Sequence, residues 1–135
     1  MKTITLTTLI TLIIFSLFIF SSCTRDVRGC TDPAAVNYNN TATYNDGSCQ
    51  YSGEVIFWHD ENLGSYTTVY IDGYSNQITL FYPGTAPNCG DVGCATFVLP
   101  AGNYTYDATT GPGGYSWSGT VTVYANDCSD VLLIK

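Results

Sequence analysis

The residues able to do chemistry are few and unevenly placed. The 135-residue chain has six cysteines (Cys23, Cys30, Cys49, Cys89, Cys94 and Cys128), one histidine (His59) and eleven carboxylates, and carries a net charge of −7. Its four basic residues are Lys2, Arg25, Arg28 and Lys135, so no Lys or Arg occurs from Gly29 to Ile134. A P-loop, a Schiff-base lysine and an arginine clamp on phosphate are thereby excluded from that stretch. Nucleic acid is excluded as a partner, because neutralising its phosphates needs clustered cations. His59-Asp60-Glu61 is the one run of mixed donors. A single histidine cannot build a His-rich zinc site, and no serine sits in a nucleophile-elbow motif. Asp60, Glu61 and Asp107 are candidates for a glycosidase-type pair, but nothing in the sequence selects two of them. The expectation is a non-enzyme whose His59 loop is solvated, with a carboxylate-dependent hydrolase as a distant alternative.

The remaining candidates are thiols, oxygen ligands and aromatic rings. Cys89-Gly90-Asp91-Val92-Gly93-Cys94 spaces its cysteines more widely than the CxxC of redox and metal motifs. Its two glycines suit a structural disulfide, Cys89–Cys94, that tightens an exposed loop. Cys128 then stays free, or pairs with Cys89 or Cys94 instead. Cys30 and Cys49 bracket residues 29–50, and closing that loop contributes about 3 kcal/mol. Within it Asp32, Asn37, Asn39, Asn45 and Asp46 offer hard oxygen atoms for calcium, though only two are carboxylates and all are also turn formers. Tyr66, Tyr70, Tyr104, Tyr106 and Tyr115 are candidates for stacking on sugar rings; the competing reading puts half the tyrosines in a core.

These groups must be held by strands. The eleven tyrosines, with Trp58 and Trp117, sit among abundant Gly, Thr, Ser and Asn, which is β-sheet composition. No stretch beyond residue 28 shows a long 3.6-residue period. Val55-Ile56-Phe57-Trp58 begins the series. Residues 66–71 alternate, with Thr67, Val69 and Ile71 on one face, and Asp72-Gly73 is a hairpin signal. Further strands are expected at 77–82, 95–99, 104–108, 117–124 and 130–134. The last long one sets Trp117, Gly119, Val121 and Val123 opposite Ser118, Thr120, Thr122 and Tyr124. In the cysteine-bracketed unit, Asp32-Pro33 is a helix-start signal leading into a short turn, and Asn45-Asp46-Gly47 is a tight turn.

Residues 1–22 are of another kind. Lys2 precedes an apolar run from Ile4 to Phe20, too short for a comfortable span and suited to the h-region of a signal peptide. The run ends in Phe20-Ser21-Ser22-Cys23, which resembles a bacterial lipobox. That resemblance implies cleavage before Cys23, lipidation of its thiol and a membrane partner through that anchor. Removing residues 1–22 leaves 113 residues and takes the net charge to −8. Residues 23–28 become a lipidated tether. The absence of Asp after Cys23 favours the outer membrane. Export makes disulfides available to the other five cysteines.

Gly29-Cys30-Thr31-Asp32-Pro33, Ala35, Asn37-Tyr38-Asn39, Ala42 and Asp46-Gly47-Ser48-Cys49 resemble a repeat of exported proteins from Bacteroidetes-type bacteria, with Asn40 and Asn45 departing from its usual Pro and Asp. Phe97-Val98-Leu99-Pro100-Ala101-Gly102-Asn103-Tyr104 and Gly114-Tyr115-Ser116-Trp117-Ser118-Gly119-Thr120-Val121-Thr122-Val123 resemble PEGA, Cna-B and carboxypeptidase-regulatory-like domains. The second resemblance implies a transthyretin-like β-sandwich used for binding or spacing. The expected architecture is thus all-β: a signal helix in residues 1–22, a disulfide-closed cap at 29–50, and an antiparallel sandwich of about seven strands at 53–135. The expected role is a non-catalytic envelope module for protein or glycan contact or for spacing, with a carbohydrate-binding lipoprotein as the alternative. No cofactor is required, calcium being the one candidate.

Overall fold

The structure, a computed structural model, describes residues 25–135. The expected signal helix and the lipidated Cys23 lie outside the described residues. Every regular element among those residues is a strand. β1 (Arg28–Gly29), just ahead of Cys30, pairs in parallel with β2 (Tyr44–Asn45), inside the cysteine-bracketed segment. β3 (Ser52–Trp58), β4 (Thr67–Ile71), β5 (Tyr74–Ile78), β6 (Ala95–Pro100), β7 (Gly102–Thr109), β8 (Ser116–Val123) and β9 (Cys128–Leu132) follow. They form two sheets, of order β6-β3-β9 and β5-β4-β7-β8.

Alternation decides which residues the two sheets turn towards each other. Val55 and Phe57 of β3, Phe97 and Leu99 of β6, Val69 and Ile71 of β4, Ala108 of β7 and Val123 of β8 form one buried cluster. Phe57 meets the ring of Phe97 at 5.9 Å and that of Tyr106 at 4.8 Å, both edge-on. Tyr106 lies against Gly119, its cross-strand partner, where an added Cβ would come within 2.9 Å of the phenol oxygen. The glycine in the Trp117–Val123 alternation is therefore space for a ring.

Two expectations are corrected. The sheets are not wholly antiparallel, since β9 runs parallel to β3, pairing Glu54 with Cys128 and Trp58 with Leu132. The cause is the crossing from β8. The chain turns at Asn126, whose φ is +57°, and enters beside the start of β3, with Asn126 N donating to Ser52 O at 2.8 Å. Secondly, the strand expected at 77–82 starts and stops earlier. Asp72 and Gly73 take φ of +49° and +79°, as a two-residue primed turn requires, so Tyr74 pairs directly with Ile71. Residues 79–82 then leave the sheet.

They leave it to cover the far side of β3. Ile56, Trp58 and Cys94 form a second buried cluster, joined by Tyr82, Cys89 and Leu132. Burial on both faces is why Val55-Ile56-Phe57-Trp58 reads as an unbroken apolar run. Residues 79–93 are tied there by Tyr82 N to His59 O at 2.8 Å, by Thr79 N to Gly93 O at 2.8 Å, and by a Cys89–Cys128 disulfide.

Candidate functional site

Among the described residues, the four-stranded sheet has no such cover. Its outward residues are Ser75 and Gln77 on β5, Thr68 and Tyr70 on β4, Asn103, Thr105, Asp107 and Thr109 on β7, and Ser116, Ser118, Thr120 and Thr122 on β8, aligned across the ladders. Tyr70 stands between Ser75 and Asp107, with Ser118 beyond. Gln77 Nε2 donates to Thr68 Oγ1 at 3.3 Å, and Thr122 Oγ1 donates to Asn103 Oδ1 at 2.7 Å. The face thus carries hydroxyls and amides, one carboxylate and no cation. Tyr70 is 49 % exposed, and Tyr66, just ahead of β4 and on the same side by alternation, is 63 % exposed. Four extended residues separate the two positions by about 13 Å. Tyr66 and Tyr70, named from the sequence as stacking candidates, share this face with Thr68, Ser75 and Gln77, which the sequence did not single out. The signal for those lay in the period-2 hydroxyl pattern, readable only once the register was set.

The other tyrosine candidates divide. Tyr104 and Tyr106 are corrected: with Gly102 and Ala108 they occupy the inward positions of β7, and both pack on the main core. Tyr104 donates its hydroxyl to Pro100 O at 2.7 Å. Tyr115 is exposed beside the β7–β8 turn, but the Lys135 ammonium sits 5.2 Å over its ring. The carboxylates proposed for hydrolysis stand apart in the topology, Asp107 on the outer face of β7 and Asp60 and Glu61 in the loop after β3. Among the described residues no three His, Cys, Asp or Glu side chains converge as a metal set.

In the cap, the five oxygen-bearing candidates serve the chain itself. Asp32 accepts from Ala34 N at 2.9 Å and from the Tyr51 hydroxyl at 2.6 Å, and the Tyr51 contact first, then Ala34, holds its carboxyl below the usual range. Asn37 accepts from Gln50 N, Asn39 from Thr41 N, Asn45 from Gly47 N and Asp46 from Ser48 N. Asp32 behaves as the N-cap reading requires, but the chain makes two successive turns, Ala35 N to Asp32 O and Tyr38 N to Ala35 O, rather than a helix. The Cys30–Cys49 disulfide closes the unit as expected.

The pairing of the last three cysteines is corrected. Cys89 joins Cys128, not Cys94, because residues 79–93 lie over the three-stranded sheet and bring Cys89 to its β9 edge. Cys94 is a buried free thiol, raised in pKa by desolvation and by the charge of Asp91. His59 is likewise not in a solvated loop but 4 % exposed. A carbonyl can only accept, so Nδ1–H donates to Leu133 O at 3.2 Å, and Nε2 accepts from the Thr67 hydroxyl at 2.8 Å. Desolvation lowers its pKa, opposed by the Leu133 carbonyl and Asp60. Thr67 is 0 % exposed, so this hydroxyl–imidazole pair is closed to a substrate. With the Trp117 indole donating to Ile134 O at 2.7 Å, it secures the C-terminal residues. The chain matches no family model, no curated protein and no solved structure.

Proposed function

We propose that the chain is an exported, non-catalytic module of the bacterial cell envelope. It is anchored by lipid at Cys23, joined by the tether 23–28 to a cap at 29–50, and completed by a transthyretin-like β-sandwich at 53–135. The lipobox-like Phe20-Ser21-Ser22-Cys23 supports the anchor, and two disulfides fit an oxidising compartment. The module acts by contact, as a spacer that also presents a surface. In the cap, the five candidate calcium oxygens each accept a backbone N–H.

A single observation carries the contact reading: the outer face of the four-stranded sheet is a bare field of hydroxyls and amides with Tyr70 in its midst. Aromatic rings stack on the apolar faces of sugars, and the surrounding groups exchange hydrogen bonds with their hydroxyls. One carboxylate and no cation favour an uncharged glycan. A glycan array probed with the detergent-solubilised protein tests this. Retention of a neutral polysaccharide, lost in Tyr70→Ala, is expected. Absence of binding to every glycan by a folded protein would return the module to protein contact or spacing.

A further inference from the structure

The two sheets meet differently at their two sides. Where β8 and β9 approach, Ser129 Oγ donates to Thr122 O at 3.2 Å and the Trp117 indole holds Ile134 O. Where β5 and β6 approach, one residue does the joining. Asn76 Nδ2 donates to Thr96 O at 3.0 Å, and Asn76 Oδ1 accepts from Gln77 N at 2.8 Å. Beyond this clamp the seam opens into a groove of about 250 Å³ lined by Tyr74, Phe97, Val98 and Leu99.

We propose that the open edge of β6, residues 96–99, is a strand-addition site for an extended segment of a partner protein that alternates apolar residues with Lys or Arg. The Thr96 carbonyl faces the seam, since Asn76 reaches it there. Backbone groups on a strand alternate in direction every residue, so the N–H and C=O of Val98 face the seam too. Nothing among the described residues pairs with either group: β6 is bonded only to β3, and Val98 makes no other hydrogen bond. Such an edge is a template for another strand. Its length is limited at both ends. Asn76 holds Thr96 O, and Pro100 has no N–H while its carbonyl is taken by Tyr104. The site therefore takes a short segment.

The side-chain surroundings specify the partner. Val98 is 66 % exposed and separates two spaces. On one side lies the apolar groove of Tyr74, Phe97 and Leu99. On the other, where residues 79–93 stop short of covering β3, lies a recess of about 460 Å³ lined by Glu54, Asp127, Ser52 and Asn126. Alternate residues of an added strand point to these two spaces in turn. The first takes apolar side chains, and the second takes a cation reaching across Val98 towards Glu54. A second copy of this chain brings carboxylates and, from Gly29 to Ile134, no Lys or Arg, so charge favours a cationic partner over self-pairing.

Titration of the detergent-solubilised protein with an acetylated heptapeptide of alternating Lys and Val tests the proposal. Saturable binding is expected, with amide-exchange protection gained at Val98 and little binding of the Glu–Val counterpart. Val98→Pro deletes only the outward N–H, so the β3–β6 ladder and the melting temperature should persist while affinity falls at least tenfold. Glu54→Gln with Asp127→Asn, which leaves the backbone edge intact, should weaken the Lys–Val peptide and flatten its salt dependence. Equal binding of both peptides, unchanged affinity in a folded Val98→Pro, or a dimer that Val98→Pro converts to monomer would each overturn it.

Discussion

The outer faces of the two sheets have opposite fates. That of the three-stranded sheet carries Ile56, Trp58 and Leu132, and residues 79–93 are tied over it by the Cys89–Cys128 disulfide. That of the four-stranded sheet carries hydroxyls, amides and Tyr70, and no segment among the described residues covers it. One face has become a second core and the other stays exposed to solvent. The difference is chemical before it is topological. Each apolar side chain removed from water contributes roughly 1.5–3 kcal/mol, so a face bearing Ile and Trp attracts a cover, whereas a Thr and Ser face gains little from one. A stable small domain can therefore keep one sheet face free for contact because its loops and its longer disulfide are spent on the other.

The largest way to break this contrast is Trp58→Ala. It should cost about 3–5 kcal/mol by denaturant titration, as for a core aromatic, since the ring is 5 % exposed and its indole donates to Asp130 Oδ2 at 3.1 Å. A loss below 1 kcal/mol would show that residues 79–93 are not a true cover. Next is the disulfide that ties them. Replacing Cys89 and Cys128 by Ser removes a crosslink spanning 39 residues and should cost about 4 kcal/mol, against about 3 for the 19-residue separation of Cys30 and Cys49. In the unsubstituted chain, alkylation under denaturing conditions should label Cys94, not Cys128, and peptide mapping should recover a Cys89–Cys128 pair.

A smaller effect concerns the buried histidine behind the C-terminal residues. The folded pKa of His59 lies below its unfolded value of 6.5, so the unfolded chain takes up the proton first. Its share of stability is whole above about pH 6.5 and declines as pH falls from there towards the lowered folded value, by at most about 1.4 kcal/mol per pH unit. Thermal melts from pH 8 to 5 should show this slope, and His59→Gln should flatten it. The smallest effect on stability is at the bare face. Tyr70→Ala should change the unfolding free energy by no more than about 0.5 kcal/mol, while lowering affinity for a bound glycan about tenfold. A large stability loss there would make Tyr70 a packing residue and remove the contrast.

Much of this was legible along the chain. The unbroken Val55-Ile56-Phe57-Trp58 run already differs from the alternation of Thr67-Thr68-Val69-Tyr70-Ile71, and those two patterns are the covered and the uncovered faces. Asp72-Gly73 and Asn45-Asp46-Gly47 marked turns, because backbone demands at turns are local. The Cys30–Cys49 pair is legible for the same reason, its loop being short and self-contained. What misled was local reasoning applied to distant contacts. Cys94 is the nearest cysteine to Cys89 in sequence, but Cys128 is brought to it by a strand that pairs with β3 only after the chain has crossed between sheets. Tyr104 and Tyr106 look like surface aromatics until the β7 register fixes their parity, and one residue of slip would have exposed them. His59 reads as part of a polar loop because its partners, Leu133 O and Thr67, lie 74 and 8 residues away.

Surface composition and local geometry follow from short stretches of the chain: strands throughout the described residues, no Lys or Arg from Gly29 to Ile134, and turns and a cysteine-closed cap set by neighbours in sequence. Side-chain chemistry and turn conformations are properties of short stretches. Tertiary structure alone decided which strand is parallel, which face is covered, which cysteine is free, and that Asn76 and Val98 stand at an open edge. Those depend on pairings between residues far apart, whose register is selected by the shared core rather than by any segment acting alone.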